Sequence, residues 1–133
     1  MTLNWIGVIA AAATFFGVWL GHVGVRKIEA HSPTLWLPTV AALALGLGAE
    51  AGALLSKSLY LSGALGIVGV TLLWDALEFT RQHKRVKRGH APANPANPRH
   101  ARLLANGAAT TTDWLARQPQ GTRSVPCQGE RAG

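Results

Sequence analysis

Charge is scarce in this sequence. Charged side chains make up 14% of the 133 residues, against about 25% in soluble domains. That scarcity excludes a conventional water-soluble globule. Cys127 stands alone, which excludes a disulfide scaffold. The few charges are also unevenly placed. Residues 1–80 carry Arg26, Lys27 and Lys57 against Glu29, Glu50, Asp75 and Glu78. Residues 81–133 carry ten Arg or Lys against Asp113 and Glu130, and the formal net charge is +7. An apolar front is joined to a basic tail.

Three stretches lack charge almost entirely. Residues 4–25 hold no Lys, Arg, Asp or Glu. Residues 33–55 hold only Glu50, and residues 59–79 hold none before Asp75 and Glu78. Each run is about 20 residues, roughly 30 Å of helix, which matches the hydrocarbon core of a bilayer. Lipid leaves backbone N–H and C=O groups unsatisfied, so each run must be helical. The expected fold is all-α: a three-span transmembrane helix bundle over residues 1–90, the third helix extending to about 88. A basic, Pro-rich and largely disordered tail is expected over 91–133. Met1 to Trp5 holds no basic side chain, so the first run reads as an uncleaved span rather than a signal peptide.

Local signals mark the breaks. Arg26-Lys27-Ile28-Glu29 ends the first run with charge. Ser32 and Pro33 read as the N-cap and first residue of the second helix. Pro38 is placed to kink that helix near its start. Ser56-Lys57-Ser58 makes a tight hairpin between spans two and three. Gly89 reads as the stop of the third helix. Within the tail, Pro98–Ala105 and Asp113–Arg117 read as short helices, the first ended by Asn106-Gly107.

With three spans, Arg26, Lys27 and the cations of 81–88 share one side, and Lys57 lies on the other. The positive-inside rule then places the N-terminus outside and the C-terminus in the cytoplasm. Trp19, Trp36 and Trp74 fall towards one interface, Trp5 and Tyr60 towards the other. Arg81, Lys84, Arg85, Lys87 and Arg88 suit anionic lipid headgroups, at about 1 kcal/mol each. No aromatic stacking residues interleave that run, so nucleic acid is not the expected partner.

Small residues mark faces for close helix approach: Gly17 with Gly21, Gly48 with Gly52, and Gly63, Gly66 and Gly69. They suit packing within one three-helix unit, or a homo-oligomer or larger membrane complex. His22, Glu50, Asp75 and Glu78 are ionisable groups at or near membrane depth, which often mark function. His22 and Glu78 lie at similar depth and form a candidate pair, with Lys27 and Glu29 just outside. The plainer alternative is a set of interfacial groups in contact with water. No nucleophile-and-base pair, P-loop or dinucleotide fingerprint is present. No ligand-spaced metal cluster is legible either, so no catalytic, cofactor or metal residue is assigned.

Two motifs carry a family resemblance. One is His22 followed by Lys27-Ile28-Glu29. The other is Trp74, Glu78, Arg85-Val86-Lys87-Arg88-Gly89 and Pro92-Ala93-Asn94-Pro95. Over about residues 4–99 the sequence resembles the small bacterial membrane proteins grouped as domain-of-unknown-function family 4491. It departs from that pattern around His22, flanked here by Gly21 and Val23. The Asn-Pro unit is also doubled, so Asn97-Pro98-Arg99 is an alternative match. The resemblance implies a multi-span inner-membrane protein with His22, Lys27, Glu29, Glu78 and Arg85 as a polar unit at its cytoplasmic face. The expected function is a non-enzymatic accessory subunit or self-associating module. The alternative is a component of a transport or ion-conducting assembly using His22, Glu50 or Glu78.

Overall fold

A computed structural model describes residues 4–113. The expected helix over 113–117, Trp114, Leu115 and Cys127 lie wholly or largely outside the described residues. Among the described residues the regular structure is all-helical: α1 Ile6–His31, α2 Trp36–Leu55, α3 Leu59–Lys87 and α4 Pro98–Ala105. The first three are long and apolar enough to cross a membrane. Their large side chains face outward, among them Phe15, Leu47, Leu54 and Trp74. That is the pattern of helices solvated by lipid rather than water.

α3 is the central helix. Both α1 and α2 pack against it. The α2–α3 hairpin is tied by the Ser62 hydroxyl, which donates to Ala53 O at 2.8 Å. α2 and α3 approach closely at Gly46, where an added Cβ would lie 3.0 Å from Gly69 O and 2.9 Å from Leu73. Val25, Ala42, Ala76 and Phe79 form a small core near the basic end of the bundle.

Two local readings change. Ser32 does not cap α2; it ends α1. Its backbone is extended, and its N–H donates to Ile28 O at 2.7 Å. The proline that follows disfavours helical backbone at Ser32, and α2 starts only at Trp36 without a side-chain cap. Pro38 then falls in the first turn of α2, where a missing N–H removes no bond within the helix.

α1 also runs past Arg26 and Lys27, through to His31. Charge leaves the lipid-length part of the helix without ending it. At the far end of α3, Gly89 adopts φ +71°, the left-handed conformation expected of a helix stop. His90 N–H then reaches Arg85 O, and Gly89 N–H reaches Val86 O.

The tail begins with an ordered stretch over residues 91–112. This segment folds back under the bundle. Val86, Ala91 and Ala93 form a second core with Leu103, Leu104 and Ala109. Pro98–Ala105 is a helix, as its sequence suggests. The segment has little apolar surface, and polar contacts with the end of α1 supply the remainder.

Candidate functional site

Those contacts converge on Glu29. In the last turns of α1 it is 1% exposed. An ionised carboxylate is buried that deeply only when charge and hydrogen bonds compensate it. Arg99 Nη1 donates to Glu29 Oε1 at 2.9 Å. His100 Nε2 lies 3.0 Å from the same oxygen, and His83 Nδ1 lies 3.3 Å away. α3 supplies His83, and α4 supplies Arg99 and His100.

The tautomers follow from the partners. Asn94 N–H donates to His100 Nδ1 at 3.1 Å. That nitrogen is therefore an acceptor, and His100 Nε2 carries the hydrogen donated to Glu29. Arg99 Nη1 also lies 2.7 Å from His83 Nδ1. A guanidinium only donates, so His83 Nδ1 accepts and the ring is neutral. Burial, then the Arg99 charge, holds the His83 imidazole below its ordinary value, against the opposing pull of Glu29.

Glu29, His83 and His100 bring one potential ligand atom each within 4.8 Å of one another. A metal could use that spacing, and Glu29 Oε2 has no hydrogen-bond partner among the described residues, but both histidine donors face other groups. His100 Nε2 needs its hydrogen for Glu29, and His83 Nδ1 faces Arg99. The cation of this cluster is the guanidinium.

The same segment finishes α1. A helix leaves its last carbonyls without partners. Arg99 Nη2 donates to Glu29 O at 2.6 Å. Asn94 Nδ2 and Asn97 Nδ2 each donate to Ala30 O at 3.0 Å, and Asn97 Nδ2 also reaches Ser32 O at 2.9 Å. Asn97 Oδ1 meanwhile accepts from Arg99 N–H and caps α4. One side chain closes one helix and opens another. The Asn-Pro doublet is thus a C-cap delivered from more than sixty residues away.

The residues singled out in the sequence separate into two groups. Glu29 belongs to the buried cluster. His22, Glu78 and Arg85 line a smaller cavity of about 240 Å³ between α1 and α3. Glu78 pairs there with Arg81 at 2.9 Å and Arg85 at 3.2 Å. His22 Nδ1 instead donates to Val18 O at 3.0 Å. The structure shows no His22–Glu78 hydrogen bond. Lys27 is exposed, as are Arg81, Lys84, Arg85, Lys87 and Arg88. Arg81 also lies over the Trp74 ring, 4.7 Å from its centroid.

Of the glycines, Gly17 meets Thr71, Gly21 meets Asp75, and Gly52 meets Leu65. Gly48 meets nothing within 4 Å. The buried glycine of α2 is Gly46, two residues away and on another face of the helix.

His83, Arg99 and His100 were not singled out for this role from sequence. They lie 54, 70 and 71 residues from Glu29. One signal was available: a doubled Asn-Pro unit followed at once by Arg99 and His100, opposite an acid at the end of α1.

The model of a family described as Domain of unknown function (DUF4491) matches residues 4–97. The chain belongs to that family. The match takes in all three long helices, Glu29 and both capping asparagines. It ends two residues before Arg99. No curated protein matches the chain, and neither does any solved structure.

Proposed function

We propose that this member of the family is a non-enzymatic integral protein of the bacterial cytoplasmic membrane, acting as an accessory subunit or self-associating module. One observation supports this best. Most polar groups of the Glu29 cluster are directed at one another and at the carbonyls of α1, with Glu29 Oε2 and Arg99 Nε left over. The paired groups build a cap that closes the end of α1. The charge balance of the loops favours an outward N-terminus and a cytoplasmic cap. The exposed cations of 81–88 then meet anionic headgroups of the inner leaflet.

Purification in mild detergent followed by native mass spectrometry tests this reading. A defined homo-oligomer, or a stoichiometric complex with another membrane protein, is expected. The assembly is expected to weaken when Glu29→Ala releases the cap. A chain that is monomeric and alone at all concentrations overturns it.

A transport role is the second reading. It is favoured by Glu50, whose carboxylate seats on Gly69 at the α2–α3 crossing, in the last turns of α2. Proteoliposomes lacking any proton or cation flux above the Glu50→Gln variant would remove it.

A further inference from the structure

α1 and α2 are held apart by α3, and between them runs a groove of about 560 Å³. Its walls include Gly24 from α1 and Pro38 and Ala41 from α2. Small-molecule sites typically measure about 300–1,000 Å³, are mostly apolar, and carry a few placed polar groups. The groove is of a size to take a small molecule whole.

Three polar side chains line it: Ser32, Thr71 and Asp75. Two are spent. The Ser32 hydroxyl donates to Thr34 O and the Thr71 hydroxyl to Ile67 O, both at 2.7 Å. Asp75 makes no hydrogen bond or ion pair among the described residues. Its carboxylate seats on Gly21, where an added Cβ would lie 2.6 Å from Oδ1. Asp75 also lines the smaller cavity, on the other side of the α1–α3 contact. Among the chain's own basic groups there, His22 acts on Asp75 through space and without a hydrogen bond, and the arginines are engaged elsewhere. Arg85 pairs with Glu78, and Arg26 lies 3.9 Å from Asp113. His22 uses Nδ1 on Val18 O.

We infer that the α1–α2 groove binds a small lipophilic cation, with Asp75 as its counter-ion. An unpaired carboxylate among apolar helices is costly, and a cation carrying its own apolar body repays that cost while filling the groove. A quaternary ammonium, a phosphonium or a protonated amine with an apolar frame has this chemistry. An acyl chain would fill the groove but leave Asp75 unanswered.

Tetraphenylphosphonium and tetraphenylborate provide the test, being alike in shape and opposite in charge. Binding to the full-length protein in nanodiscs is measured by calorimetry, with empty nanodiscs subtracted. The wild type is expected to bind the phosphonium at least tenfold more tightly than the borate. Asp75→Asn is expected to lose that preference. Gly24→Leu is expected to bind neither probe, because Gly24 lines the groove and the position has room for a Cβ, with nothing within 4 Å of it. Asp75→Glu, which keeps the charge, is expected to retain the preference if the Asn variant does not fold. Equal binding of the phosphonium by wild type and Asp75→Asn overturns the inference and leaves the groove to acyl chains. So does unchanged binding by Gly24→Leu. A dimer abolished by Gly24→Leu, with no phosphonium bound, assigns the groove to a second copy and equally overturns it.

Discussion

His100 Nε2 donates to Glu29 Oε1 at 3.0 Å, joining α4 to the end of α1 across 71 residues of chain. Both side chains are almost wholly buried. Arg99 reaches the same oxygen from the same short helix. Docking α4 therefore brings the Glu29 carboxylate its charged partner.

Glu29→Ala removes the acceptor and leaves the Arg99 charge and the His100 N–H without it. Breaking one side of a buried charge pair costs about 3–5 kcal/mol. The cap is expected to detach rather than bear that cost. Trypsin cleavage at Arg99 and Arg102 should accelerate strongly, while the helicity of α1 to α3 in circular dichroism should change little.

Docking should weaken in acid. The His83 value lies below its ordinary 6.5 in the folded chain. The undocked chain therefore takes up the proton first as pH falls. The stabilisation is fully present above about 6.5 and is lost as pH drops through the lower folded value. Protonation at Nδ1 would also set an N–H against the Arg99 guanidinium. Tryptic protection of the cap, followed from pH 8 to pH 5, should fall in that direction. His83→Gln should flatten the decline.

Asn97 serves two helices with different atoms, so two substitutions separate its roles. Asn97→Ala loses the α4 cap and the donors to Ala30 O and Ser32 O. A lost N-cap alone costs about 0.5–2 kcal/mol. Asn97→Asp keeps the acceptor for Arg99 N–H but turns an oxygen towards two carbonyls. Hydrogen exchange of the α4 amides should be faster in both variants. It should be no slower in the Asp variant than in the Ala variant.

Gly46 and Gly24 should respond oppositely to the same change. A Cβ at Gly46 meets Leu73 at 2.9 Å and the Gly69 carbonyl at 3.0 Å; at Gly24 it meets nothing within 4 Å. Backbone cannot yield as a side chain can. Overpacking of this kind costs about 1–3 kcal/mol. Gly46→Ala should lower the melting temperature in detergent. Gly24→Ala should leave it unchanged or raise it, since alanine suits a helix better than glycine.

Much of the architecture was legible because it follows from solvent and chain-local chemistry. Runs of about 20 apolar residues give lipid-length helices, whatever their neighbours. Gly89 and Asn106-Gly107 stop helices through their own backbone freedom. Pro98 opens α4 because its fixed φ suits a first turn. Local signals mislead where two of them compete. At Ser32-Pro33 the stop of one helix looked like the start of the next. In α2 a Gly48–Gly52 pair was visible, but only the rotation of the helix about α3 set Gly46 inward.

Sequence alone thus determined that three apolar helices exist and where cations gather. Tertiary structure decided which polar groups meet. Glu29, His83, Arg99 and His100 lie far apart along the chain, and no spacing rule links them. Their association depends on α1 and α3 ending side by side, so that the segment after Gly89 can cross beneath both. Likewise, the groove below Asp75 exists only because α1 and α2 both rest on α3. Hydrophobic length is a property of each helix by itself; a buried ion pair is a property of their arrangement.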